Sequence, residues 1–244
     1  MSHLDLDDAA ARAALQAELD ALIYFVTHDL KNPLSAVMGY AGMLSENVEQ
    51  LSLDQIRRSA EIIYLACAKM NDQIADLHAL ARVRKLDQVV CQPLDMAQIV
   101  ADVSSLLHDQ IAASHAEIVY PASWPEARGF APWVEDIWLH YLSNAIQHGC
   151  YPADQPPQIE LGATVQADRM IRYWVRDYGP GIAPEMQAKL FVSFEQIDKV
   201  SHATRGLGLA LVRRIVDRLA GSVGVESSGV PGEGSLFYFT LPAE

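Results

Sequence analysis

Two stretches of the chain repeat apolar residues at alternating spacings of four and three. In the first, Leu15, Leu19, Leu22 and Val26 lead into an alanine- and leucine-rich run with no glycine until Gly39. In the second, Ile56, Ala60, Ile63, Cys67, Met70, Ile74, Leu77 and Ala81 hold the same rhythm for more than three heptads. That period predicts two long helices, the first from about Asp8 to Leu44, each with a packed seam. Ser52 followed by Gln55 reads as a capping box opening the second helix. The segment SENVEQLSL between them is short, so the helices are expected to fold back as an antiparallel hairpin. A two-helix hairpin cannot bury a continuous seam alone, which predicts a homodimer in the form of a four-helix bundle, with Cys67 and Met70 in its core.

The heptads stop in KLDQVVCQPL (85–94), which marks a junction between a helical domain, 1–88, and a second domain, 89–244. Beyond it the pattern predicts a helix near 95–113, a strand near 116–120, a helix near 132–148 and strands near 157–166 and 169–176. A glycine-rich irregular stretch follows, then a helix near 207–220 and strands near 222–228 and 234–241. Helices and strands interleave around one sheet, so the class is α+β or α/β.

Composition narrows the partners. The 244 residues carry 31 acidic against 18 basic side chains, a formal charge of −13, which argues against a surface that tracks nucleic-acid phosphates. Cys67, Cys91 and Cys150 are scattered without CxxC spacing, against a disulfide framework or a zinc site and in favour of a reducing cytoplasm. No apolar run approaches the ~18–20 residues of a membrane span, and MSHLDLDD is unlike a signal peptide.

Chemistry gathers in four places. In RDYGPGI, Asp177 ends a strand and Gly179 and Gly181 let the backbone turn and approach a ligand. In ATRGLGLALVRRIV, Gly206 and Gly208 lead into an amphipathic helix whose free amides and dipole suit a phosphate chain, with Arg205 as counter-charge. A glycine turn opening a structural helix explains that stretch too, and Gly232 and Gly234 in PGEGSLFYF fit an ordinary hairpin equally well. In WLHYLSNAIQHG, His140, Asn144 and His148 fall on one helix face, from which an Asn oxygen can serve Mg²⁺. Finally, HDLKNPL places Pro33 in a helical pattern at a cost of about 3 kcal/mol, beside His28.

Taken in order, a helix with NA, then DxGxG, a Phe-rich segment (LFVSFEQ), GLGL opening a helix and GxGSxF, this chain resembles the ATP-binding domain of sensor histidine kinases, and HDLKNPL resembles their phosphoacceptor box. The resemblance implies an α+β fold, a helical hairpin dimerising into a four-helix bundle followed by an α/β-sandwich ATP-binding domain, with ATP and Mg²⁺ as cofactors. Asp177 would bind the adenine amino group, Asn144 would ligate Mg²⁺, and Gly179 and Gly181 would hinge the loop over the nucleotide. Arg205, Gly206, Leu207 and Gly208 would hold the phosphates. Phe191 and Phe194 would belong to a mobile lid near the junction with the helical domain. His28 would accept the phosphoryl group, Asp29 would orient its ring or accept its proton, and Asn32 would position water in a phosphatase reaction. The implied activity is ATP-dependent autophosphorylation on His28 and transfer to an aspartate in the receiver domain of a response regulator; the alternative is a kinase-like phosphotransferase or scaffold that binds ATP weakly or not at all. Three positions depart from the family pattern: His140 and Thr204 replace its Asn and Gly, and Gln147 stands where a basic residue is common. The absence of a glutamate at 140 favours transfer to histidine over hydrolysis.

Overall fold

The computed structural model describes residues 30–85, 89–152, 154–191 and 207–244. They fall into a helical unit, which runs to Ala81 and takes in Leu207, and a mixed unit of Arg82–Val192 and Gly208–Glu244.

In the helical unit, α1 spans Lys31–Asn47 and α2 spans Leu53–Lys85, joined by a 3₁₀ turn at Val48–Gln50. Pro33 is the third residue of α1 and is buried. In that first turn an N–H has no intrahelical acceptor, so proline costs the described helix nothing. The capping box forms as read: the Ser52 amide donates to Gln55 Oε1 at 2.9 Å and the Gln55 amide to Ser52 Oγ at 3.3 Å. The covered line of α2 differs from the expected seam. Ser59 is buried and Ile56, Ile63, Ala66, Met70, Gln73 and Leu77 are half-buried, whereas Ala60, Cys67 and Ile74 are exposed. Cys67 is therefore not core within one chain. Positions 60, 67 and 74 lie one residue beyond the covered line and are exposed among the described residues.

The mixed unit begins with β1 (Gln92–Pro93), α3 (Met96–Leu106), α4 (His108–Ser114), β2 (Glu117–Val119), β3 (Arg128–Gly129) and α5 (Ala131–His148). It continues with β4 (Gln158–Val165), β5 (Met170–Asp177), α6 (Pro184–Leu190), α7 (Leu207–Arg218), β6 (Val223–Glu226) and β7 (Ser235–Pro242). The sheet runs β2-β4-β5-β7-β6, parallel between β2 and β4 and antiparallel elsewhere; β1 pairs separately with β3. Where one helix was expected near 95–113 there are two, broken at Leu107. Ser104 and Ser105 turn their hydroxyls back onto the Val100 and Ala101 carbonyls at 2.7 and 3.0 Å, competition that loosens a helix just before its end. The helix α6 and the β1–β3 pair were not expected; Pro184 at the first turn of α6 is the signal that marks it.

The pleat sorts the strands. In β5, Ile171, Tyr173, Val175 and Asp177 are buried and the residues between them are not. The buried row meets Phe237, Phe239 and Leu241 of β7 and packs beneath Trp138 and Tyr141 of α5. Trp138 of α5 is the centre: its ring meets Trp124, Tyr173 and Phe239 edge-on at centroid distances of 5.5, 6.4 and 5.5 Å, and its indole N–H donates to Met96 Sδ at 3.1 Å. The result is a helical layer over one face of a mixed sheet, with Asp177 at the end of the core-facing row.

Candidate functional site

Asp177 is a carboxylate at a core position. Register pairs it with Ile159 and Ser235, so the pleat that buries Val175 also buries Asp177, which is 7% exposed. A buried carboxylate needs donors. Its Oδ1 accepts the amides of Gly179 at 3.0 Å and Ser235 at 3.1 Å. Burial pushes the carboxyl above its ordinary range; those two amides and the charges of His148 and Arg176 pull the other way. Both bonds fall on one oxygen, leaving Oδ2 for a donor from outside the fold.

Glycines make the room. A Cβ on Gly234 would stand 1.9 Å from the Asp177 carbonyl oxygen, and its φ of +67° is a backbone region that other residues avoid. On Gly149, just past α5, a Cβ would meet Asp177 Cβ at 2.7 Å. A Cβ on Gly179 would likewise fall 2.5 Å from the His148 carbonyl oxygen. The C-terminal end of α5, the β5 end and the β7 start therefore converge on Asp177.

The β6–β7 loop is bonded to the loop after Asp177. The Gly232 amide donates to the Gly179 carbonyl at 2.9 Å, the Ile182 amide to Ser227 Oγ at 2.9 Å, and Ser227 Oγ to the Gly234 carbonyl at 2.7 Å. Gln187 on α6 donates to the carbonyls of Ile182 and Ser227 at 2.6 and 2.8 Å. Thus PGEGSLFYF, which read as a hairpin turn, also supplies a bond to Asp177 through Ser235. Gly149, Ser227 and Ser235 were missed as site residues. The glycine after the NA helix and the serine after the last GxG were their only marks in the sequence.

Asn144 and His140 lie one turn apart on α5, both half-buried. Helix α7 opens at Leu207 with no acidic residue in its first turn, leaving its dipole and first amides uncompensated by the helix itself. Leu207 is buried, and its side chain serves the core. Gly208 lies against His140, where a Cβ would fall 2.6 Å from the imidazole Nδ1. Burial lowers His140 to about 4, so the ring is neutral near pH 7. These residues fit a magnesium nucleotide by their chemistry: a carboxylate with one oxygen open, a neutral Asn oxygen, and a glycine-lined helix N-terminus that suits phosphate. Among the described residues no three His, Cys, Asp or Glu side chains cluster as a metal site.

Phe191 departs from expectation. It is buried, meets Phe237 at 6.3 Å and its carbonyl accepts from Arg213 Nη1 at 3.1 Å, so it belongs to the core of the mixed unit. Asn32 is exposed in the first turn of α1. His28, Asp29, Phe194, Thr204, Arg205 and Gly206 lie outside the described residues. Among the described residues no helix is long and apolar enough to cross a membrane.

Two families match. Residues 18–85 match the His Kinase A (phospho-acceptor) domain, and residues 131–244 match the histidine kinase-, DNA gyrase B- and HSP90-like ATPase. The chain is 32% identical over 232 residues to the methanogenesis regulatory histidine kinase FilI of Methanothrix harundinacea, covering 94% of this chain and 25% of that protein. It is 31% identical over 237 residues to the adaptive-response sensory kinase SasA of Thermosynechococcus vestitus, covering 91% and 60%. The chain spans between 25% and 29% of the length of the first curated relatives it matches. Full-length ShkA in complex with AMPPNP superposes with a TM-score of 0.58 at 25% identity over 89% of this chain and 44% of that one. The histidine kinase ThkA, solved in complex with the response regulator protein TrrA, shares the fold at a TM-score of 0.70 and 15% identity, over 100% of this chain and 67% of that one. With a phospho-acceptor helical region ahead of an ATPase sandwich whose glycine loops close on the strand-end aspartate, the chain belongs to the sensor histidine kinases.

Proposed function

We propose that the protein binds Mg-ATP in the mixed unit, transfers the γ-phosphoryl group to His28, and passes it to an aspartate in the receiver domain of a response regulator. The observation that carries this reading is Asp177, buried at the strand end with Oδ1 saturated by Gly179 and Ser235. Its Oδ2 is then the acceptor for the adenine amino group, and the fixed amides hold the carboxylate in that orientation. Gly179 and Gly181 carry the turn beside the base. The first-turn amides of α7, from Leu207 and Gly208, with Arg205 and Gly206 ahead of them, receive the phosphates. Asn144 offers an oxygen to Mg²⁺, an ion that neutralises phosphate charge and otherwise keeps water and phosphate oxygens as ligands.

Phosphoryl transfer asks a protein for positioning and charge neutralisation more than for covalent help. A neutral His28 nitrogen attacks the γ-phosphorus as the bond to the bridging oxygen breaks. ADP leaves with that electron pair, and the ring proton passes to Asp29 or to water. Asn32, four residues after His28, is assigned to positioning the water that hydrolyses a partner's phospho-aspartate. The domains of this activity are 1–88 for dimerisation and phosphoacceptance and 89–244 for ATP binding. Exposed Cys67 and Ile74 beside the covered line of α2 support a homodimer, with a second chain completing a four-helix bundle. The scattered cysteines support a cytoplasmic setting.

Incubation with γ-labelled ATP is expected to label the chain with an acid-labile, base-stable phosphate. Label that persists in His28→Ala overturns the assignment. The altered positions 140, 147 and 204 favour one alternative, a phosphotransferase with little nucleotide affinity; absence of ATP and ADP binding at millimolar concentration would establish it.

A further inference from the structure

We propose that His140 is a positioning residue for the nucleotide's phosphates: its imidazole sets the height of the first turn of α7 above the α5 face that carries Asn144. The inference rests on reading that face as the ATP site.

The geometry is specific to this pair. A Cβ built on Gly208 would lie 2.6 Å from His140 Nδ1, 3.0 Å from Cε1 and 3.3 Å from Cγ, so the imidazole ring lies directly against the Gly208 backbone. Any side chain at 208 forces the ring or the helix to shift. Further along, α7 is locked into the core by Ala210, Leu211, Val212 and Ile215, each at most 5% exposed. At Gly208, α7 meets α5 with no side chain of its own between them. The spacer there is thus the residue at 140, and its size decides where the first-turn amides stand. Hydrogen bonds to a charged phosphate weaken steeply when the donor moves by a fraction of an ångström, so a spacer that changes size changes phosphate affinity. Burial keeps the ring neutral, so it places no charge next to Mg-ATP.

The position also separates two halves of the ligand. The adenine side rests on Asp177, Gly179 and Ser235, bonds in which His140 takes no part. Altering the spacer should affect phosphates and spare the base.

The test is calorimetric titration of the full 244-residue chain with Mg-ATP, and with adenosine followed by ligand NMR line broadening. His140→Ala is expected to weaken Mg-ATP by about tenfold, the worth of one displaced charge-assisted hydrogen bond, and to leave adenosine within about twofold. Gly208→Ala is expected to weaken Mg-ATP similarly. Adding His140→Ala to Gly208→Ala should recover part of that loss, because the vacated imidazole space accepts the new methyl group. Unchanged Mg-ATP affinity in His140→Ala overturns the inference. So do equal losses for ATP and adenosine, or a double variant that shows both losses in full. A wild-type chain that binds neither ligand overturns the ATP reading itself, a result distinct from wild-type binding with an indifferent variant.

Discussion

The amide of Ser235, the first residue of β7, donates to Asp177 Oδ1, at the last residue of β5, across 3.1 Å. Strand pairing brings the two together, since the register sets Asp177 opposite Ser235 at the end of the β5–β7 ladder. One bond thus couples the sheet's edge of order to the orientation of the carboxylate.

Asp177→Asn keeps the shape and converts an acceptor oxygen to a donor. Mg-ATP affinity should fall by about 10–100-fold, the worth of losing one or two hydrogen bonds to a charged group. Calorimetric titration measures it. Stability has the opposite sign. Burial raises the Asp177 pKa, so ionisation opposes folding, and a stabilising share present at low pH is lost as pH rises from 3.8 through the raised value. The Asn variant lacks that loss and should melt at or above the wild-type temperature at pH 7.

Gly234→Ala places a Cβ 1.9 Å from the Asp177 carbonyl oxygen at a φ of +67°. The expected destabilisation is about 2 kcal/mol or more, with nucleotide affinity falling alongside because the same turn delivers the Ser235 amide. Urea unfolding checks the first and titration the second; a variant as stable as wild type would mean that this turn relaxes freely.

His140 makes stability depend on pH. Its pKa is about 4 in the fold against 6.5 in the open chain, so the unfolded state binds the extra proton between those values. Stability should fall as pH drops from 6.5 towards 4, by at most about 1.4 kcal/mol per pH unit from this group. His140→Gln should flatten that limb in unfolding curves measured at pH 4.5 and 7.

Trp138→Ala removes the ring that meets Trp124, Tyr173 and Phe239. The loss is expected at about 3–5 kcal/mol, seen in the unfolding midpoint of the mixed unit.

Ile74→Lys puts a charge on the exposed line of α2, where Ile74 is 45% exposed. If that line meets a second chain, sedimentation should show a shift towards monomer with little change in helix content by circular dichroism.

The chain's period and punctuation determined most of the architecture. Apolar spacings of three and four marked the helical region, alternation marked β4, β5 and β7, and glycines marked the loops around Asp177, because each is a local property of a short segment. The choice of covered line on α2 was not local: Ser59 and Ile74 trade places according to what packs against the helix, which no heptad count contains. Nor was the split at Leu107, where two serine hydroxyls compete with the backbone, or Phe191, whose place against Phe237 depends on the finished sheet. The site divides in the same way. Asp177 and Asn144 were legible as motif residues, whereas Ser235, Gly149 and the contact of His140 with Gly208 exist only because strand register and helix packing bring distant segments within bonding distance.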